Sequence, residues 1–239
     1  MPPRLRLIAG PNGSGKTTLT NSVREKLGAK FGIYVNADDM QRMLSQQQTL
    51  DLNLYEINPT KDDFAAFYAA HPLAPRAMLQ WDLLDNLFIA LETLPGQTYF
   101  PTLLADFIRE QLLKQGSSFV FETVMSDIGK VELLQRAQNL NYRTYLYYVC
   151  IEDPMVNIDR VADRVLNSGH HVPSDKILNR YNRSLENAVK AIAFTNRAYF
   201  WDNSGKEHEL VAEITEAADA ELLSDEVPVW FEERILNQL

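Results

Sequence analysis

The chain has 239 residues, 46% of them hydrophobic, with 32 acidic against 23 basic side chains and a formal net charge of −9. That composition suits a folded chain with a sizeable core and excludes a collagen-like or fully disordered one. No apolar run approaches the roughly 20 residues that cross a bilayer, MPPRLRLIAG has no signal-peptide core, and a single cysteine, Cys150, forbids an internal disulfide, so a cytoplasmic, reducing setting without a membrane is expected.

In chain order, RLRLIA (4–9) reads as a strand feeding the glycine-rich turn GPNGSGK, and TTLTNSVREKLG reads as a helix stopped near Gly28. FGIYVNADD (31–39) reads as a second strand with carboxylates at its exit. Between 41 and 97 a polar run and then proline-broken helical spacing predict a helical insertion, the alternative being a long decorated connection. A helix through LLADFIREQLLKQG precedes a strand at 117–124, and a helix at about 129–139 precedes a strand at 142–151. RAYFWDNS (197–204) reads as a fifth strand. This alternation predicts an α/β fold of the P-loop NTPase kind, with a mostly parallel central sheet flanked by helices in a single domain.

Gly10-Pro11-Asn12-Gly13-Ser14-Gly15-Lys16-Thr17 is a complete G-x-x-x-x-G-K-[ST] pattern between a predicted strand and a predicted helix. Glycines there let backbone N–H groups curl around a polyphosphate at the positive end of the helix. Lys16 is expected to reach the β- and γ-phosphates of ATP, and the Thr17 hydroxyl to ligate Mg²⁺. Asn12, Ser14 and Thr18 would add loop shape or further donors. No N-K-x-D run selects guanine, and no strand ends in the Asp-Glu pair of a typical ATPase; both absences favour transfer of phosphate to a second substrate.

Two expected strand exits carry carboxylates. Asp38 is assigned as the base that takes the proton of an attacking hydroxyl, while Asp39 suits a helix N-cap. Glu122, followed by Thr123, is assigned to hold the acceptor or a metal-bound water. Positive charge comes from 159–190, where Arg160 and Arg164 share a helix face, SGHHVP breaks the helix, and Arg180 and Arg183 follow. Arg164 and then Arg180 are the arginines expected at the phosphates. His170 and His171 suit turn capping or substrate contact better than zinc, for which the chain lacks nearby soft ligands. His71 reads as structural.

The charge is unevenly spread. Residues 201–239 hold eleven acids and two bases, which accounts for the whole −9 and leaves residues 1–200 neutral. The acidic segment reads as a solvated surface or a docking face for a basic partner. A broad nucleic-acid footprint is not expected.

AGPNGSGKTT, YVNADDM, SFVFET, RVADRVLNSGHHVPSDKILNRYNRSLENA and AYFWDNSG, in that order, resemble the zeta-toxin-like P-loop kinases, in particular the branch labelled predicted ABC-type ATPase. The resemblance implies an ATP- and Mg²⁺-dependent kinase acting on a small hydroxyl-bearing metabolite, with a UDP-amino sugar as the family's acceptor and an antitoxin as a protein partner. It implies Lys16 as the loop lysine, Asp38 as the catalytic aspartate, Glu122 as the sugar-nucleotide-binding glutamate and Arg164 as the first lid arginine. Two positions depart from the family. The SGHHVP turn stands where a second arginine follows the first, leaving His170 or Arg180 to substitute, and Thr123 follows the glutamate directly. The alternative from another class is an ATP-gated switch that acts through protein contact.

Overall fold

In a computed structural model of the chain, residues 1–94, 99–166, 172–217 and 219–239 are described, residues 164–166 by their backbone alone. The elements in the first half are β1 (Arg4–Ala9), α1 (Lys16–Leu27), β2 (Ile33–Val35), α2 (Ala37–Gln47), β3 (Thr49–Asp51), α3 (Lys61–Ala70), β4 (Trp81–Leu84), β5 (Leu87–Ala90) and α4 (Phe100–Gln115). There follow β6 (Phe119–Thr123), α5 (Gly129–Asn139), β7 (Arg143–Cys150), α6 (Pro154–Leu166), α7 (Ser174–Ile192), β8 (Arg197–Asp202), β9 (Glu209–Thr215), β10 (Asp219–Leu222) and α8 (Val229–Arg234). The contacts divide the chain into two compact units, residues 1–31 with 120–239, and residues 32–119.

In the first unit the strands run in the order β10-β9-β8-β7-β1-β6. β1 pairs parallel with β7, Arg4 opposite Arg143, and β7 pairs parallel with β8, Tyr145 opposite Arg197. The expected α/β class, with a mostly parallel central sheet flanked by helices, holds. Alternation along β7 sends Leu146 and Tyr148 to one face and Tyr145 and Tyr147 to the other. On the first face the buried Tyr148 hydroxyl meets Ser184 Oγ of α7 at 2.9 Å, and its ring lies 5.8 Å from Phe200. On the second face Arg6 stacks 5.4 Å from the Tyr145 ring and Tyr147 lies 5.3 Å from Tyr199. Cys150 closes β7 fully buried, and burial pushes its thiol up to about 12.

The acidic segment is more than solvated surface. Within it E-L-V-A-E-I-T forms β9, which pairs antiparallel with β8 and with β10. Val211, Ala212 and Ile214 are buried, and α8 adds buried Trp230 and Phe231, with Phe231 5.2 Å from Phe200. Most of the acids take exposed positions, while the half-buried Glu213 pairs with Arg197 at 2.8 Å.

The second unit replaces the expected helical insertion at 41–97 with helices and a three-stranded antiparallel sheet, β3-β5-β4. Asp85 and Asn86 both have positive φ (48° and 64°), the two-residue hairpin turn that joins β4 to β5 with Leu84 opposite Leu87. Asn86 then anchors the turn, donating to Ile57 O at 2.6 Å. α3 begins with a Thr60–Asp63 capping box and ends at Ala70, just before His71 and Pro72. His71 is structural as expected: its Nδ1 accepts the Leu73 N–H at 3.2 Å. Phe64 is the centre of this unit's core, with rings of Trp81, Phe107 and Phe88 at 4.6, 4.9 and 5.3 Å.

Candidate active site

The motif residues form a phosphate loop between β1 and α1. Gly10 lies against the Val149 carbonyl at the end of β7, with no room for a Cβ. Gly13 and Gly15 have φ of 75° and 96°, a region that side chains disfavour. Gly15 caps α1 without any side-chain bond, so the first-turn N–H groups are directed at the loop's mouth rather than capped by the chain itself. Lys16 Nζ folds over the loop, donating to the carbonyls of Gly10 and Pro11 at 2.9 and 2.8 Å. Thr17 and Thr18 are exposed, and Pro11 is buried. The Ser14 side chain is fully buried and turned inward towards Gly10, so Ser14 shapes the loop.

Glu122, at the end of β6, is brought to this loop. Thr20 Oγ1 donates to its Oε1 at 2.6 Å, and Thr17 Oγ1 lies 3.4 Å from its Oε2. Thr17 and Thr20 are one turn apart on α1 and so share a face. Thr20 is 1% exposed and escapes motif reading, because only its distance from Thr17 marks it. Thr123 shapes the strand exit: its Oγ1 accepts the Met125 N–H at 3.0 Å, where Met125 has a φ of 61°.

Outside the loop, Asn157 of α6 donates to the Asn12 carbonyl at 2.6 Å, and Asn203, after β8, donates to the Ser14 carbonyl at 2.8 Å. Arg160, which shares a helix face with Arg164, donates to Asn203 O at 3.2 Å. His208 Nε2 lies 2.7 Å from where a Gly15 Cβ would sit. Burial, and then the Arg160 charge, hold the His208 pKa below 6.5. Asn203 falls in the AYFWDNSG segment; nothing in the spacing marks Asn157 or His208.

Asp38 belongs to the second unit. It sits exposed in the first turn of α2, not on a strand exit, and its N–H donates to Asn36 Oδ1 at 2.8 Å. Asn36 is therefore the N-cap expected of Asp39, which pairs with Arg42. Both carboxylates favour the positive end of α2. Arg180 is half-buried on α7. Arg164 lies on α6, its side chain outside the described residues, as are His170 and His171.

The donors at the loop fit ATP with Mg²⁺. Uncapped N–H groups and an ammonium suit polyphosphate, and a hydroxyl beside a carboxylate is a hard-oxygen set of the kind Mg²⁺ takes with phosphates and water. Among the described residues no group of three or more His, Cys, Asp or Glu forms a metal cluster, and no helix is long and apolar enough to cross a membrane.

The zeta toxin family model matches residues 99–206, a span that takes in Glu122, Thr123, α6 and α7 but not the phosphate loop or Asp38. Among solved structures, the AvrRxo1-ORF1:AvrRxo1-ORF2 complex with sulphate ions is similar at 13% identity and a TM-score of 0.60, over 98% of this chain and 63% of that one. The same complex with ATP gives 13% and 0.59, over 93% and 61%. The PezAT chromosomal toxin-antitoxin system of Streptococcus pneumoniae gives 14% and 0.52, over 100% and 84%. At these identities the likeness is one of fold, and the chain spans about three fifths of the AvrRxo1 chains it matches. No curated protein matches the sequence. The fold is α/β with a complete G-x-x-x-x-G-K-[ST] pattern between β1 and α1, and the zeta toxin match takes in under half of the 239 residues. Over the matched span the chain is similar to the zeta toxins.

Proposed function

We propose that the chain transfers the γ-phosphoryl group of ATP to a hydroxyl of a small metabolite, and that a UDP-amino sugar is the first acceptor to test. The observation that supports this most is the Glu122 carboxylate held beside the Thr17 hydroxyl on a complete phosphate loop. Loop N–H groups and the Lys16 ammonium would neutralise the β- and γ-phosphates. Mg²⁺, when bound with ATP, would be held by Thr17, with Glu122 ordering its water, and supplies further charge neutralisation at the transferring group. Asp38 accepts the acceptor's proton in this reading, and its exposed position in α2 leaves the carboxylate available. Arg164 and Arg180 are the proposed lid cations, with Thr123 and His170 on the acceptor side.

Because the similar structures are a two-protein complex and a toxin-antitoxin system, an inhibitory protein partner is proposed with the activity. The test is incubation with labelled ATP, Mg²⁺ and either UDP-N-acetylglucosamine or a metabolite extract, followed by identification of the labelled product. A phosphorylated metabolite is expected, lost in Asp38→Asn while ATP still binds. Release of inorganic phosphate alone would overturn the transferase reading in favour of an ATP-gated switch.

A further inference from the structure

The loop is gripped from behind by one face of α6. Asn157 is 0% exposed, and its Nδ2 holds the Asn12 carbonyl at 2.6 Å. Its backbone carbonyl stands 2.7 Å from where a Gly13 Cβ would sit, so helix and loop touch main chain to main chain. One turn later, Arg160 holds Asn203 O at 3.2 Å, and Asn203 Nδ2 holds the Ser14 carbonyl at 2.8 Å. Residues 157 and 160 share a helix face, so α6 reaches the loop at two carbonyls, once directly and once through Asn203.

Peptide geometry gives these two bonds a consequence. A trans peptide unit is planar, with its C=O and N–H pointing in opposite directions. Holding the Asn12 carbonyl towards α6 therefore aims the Gly13 N–H away from α6. Holding the Ser14 carbonyl towards Asn203 aims the Gly15 N–H away from that side chain in the same manner. Those two N–H groups belong to the loop that cradles polyphosphate, and their direction is set by side chains on the far side of it.

Resting on the nucleotide reading above, we propose that Asn157 and Arg160 are positioning residues that aim the loop's N–H groups at the phosphates of ATP. The helix that carries Arg164 thus also sets the donor geometry of the loop. The cost of losing either residue falls on phosphate binding, with little effect on the rate once ATP is bound.

The experiment is calorimetric titration of the full chain with ATP and, separately, with inorganic tripolyphosphate, which has no base or sugar. Asn157→Asp keeps the side chain's shape but replaces the donor with an acceptor. Arg160→Met removes the second grip at a half-buried site, and Arg160→Lys restores a donor there. Asn157→Asp and Arg160→Met should each weaken both ligands about tenfold, with kcat at saturating ATP within about threefold of the parent. Arg160→Lys should recover part of the loss. Equal affinities in parent and variants, or a fall in melting temperature alone, would overturn the proposal. Weakened ATP binding with unchanged tripolyphosphate binding would also overturn it, by placing the effect at the base or sugar. Should Asn157→Asp fail to fold, the Arg160 pair decides. A parent chain that binds neither ligand would refute the nucleotide reading itself, an outcome distinct from all of these.

Discussion

The phosphate loop of the first unit and the aromatic centre of the second are held by opposite means. The loop is fixed by side-chain hydrogen bonds to its carbonyls from Asn157 and Asn203, both buried polar residues. Phe64 is fixed by rings, five of them within 6.2 Å and four of those edge-on. A hydrogen bond contributes about 1 kcal/mol net but fixes direction, whereas a buried aromatic side chain contributes several kcal/mol and tolerates small rotations. The contrast teaches where each kind of damage should register: around the loop in ligand handling, around Phe64 in stability.

Lys16→Ala gives the largest effect expected. Removing the ammonium at the loop should cut turnover by about 10²-fold or more, while the urea midpoint stays near that of the parent. A matching fall in midpoint would break the contrast from the loop side. Phe64→Ala attacks the other side: unfolding in urea should reveal a loss of about 3–5 kcal/mol, because Phe64 is fully buried among rings that cannot all close in. Preserved stability would remove Phe64 from the centre of that core.

Thr20→Val tests a smaller, local effect. It deletes the hydroxyl that holds Glu122 Oε1 without changing shape. The Mg²⁺ concentration for half-maximal turnover should rise about tenfold, Mn²⁺ binding in the presence of ATP should weaken in parallel, and Thr20→Ser should restore both. The smallest effect is one of pH. His208 is neutral when folded until the pH falls below its depressed pKa, whereas the unfolded chain takes up the proton near 6.5. Below 6.5 the unfolded state therefore binds more protons, and stability falls as the pH drops towards the folded value, below which the slope vanishes. Melting temperatures between pH 7 and pH 5 should follow this fall, and His208→Gln should flatten part of it.

The same contrast explains what the sequence disclosed. The loop and its flanking strand and helix were legible because a rigid motif lay between clear periodic segments. β6, β7 and β8 were legible because buried strands are dense in β-branched and aromatic residues. The β4–β5 hairpin is hidden in the sequence because Trp81, Leu83, Leu84, Leu87 and Phe88 also satisfy helical spacing; the Asp85-Asn86 pair is the available signal for a turn. β9 lacks a clean two-residue period, because Val211 and Ala212 are both buried where its register with β8 shifts, so only its charge stands out in the sequence. Asp38 falls beyond the strand exit that the sequence predicts for it, because the strand stops at Val35 and Asn36 caps α2. Thr20, Asn157 and His208 act through neighbours distant in sequence, and no local pattern encodes that.

Cys150 offers a further use of the fold. The chain has one cysteine, buried at the end of β7 next to the Val149 carbonyl against which Gly10 rests. With its thiol pushed up to about 12, almost no thiolate exists at neutral pH, and reagent has no path to it while β7 stays between β1 and β8. Its alkylation rate is therefore a clock for the opening of the strand behind the phosphate loop, read without an engineered cysteine, and a ligand that tightens the loop should slow that clock.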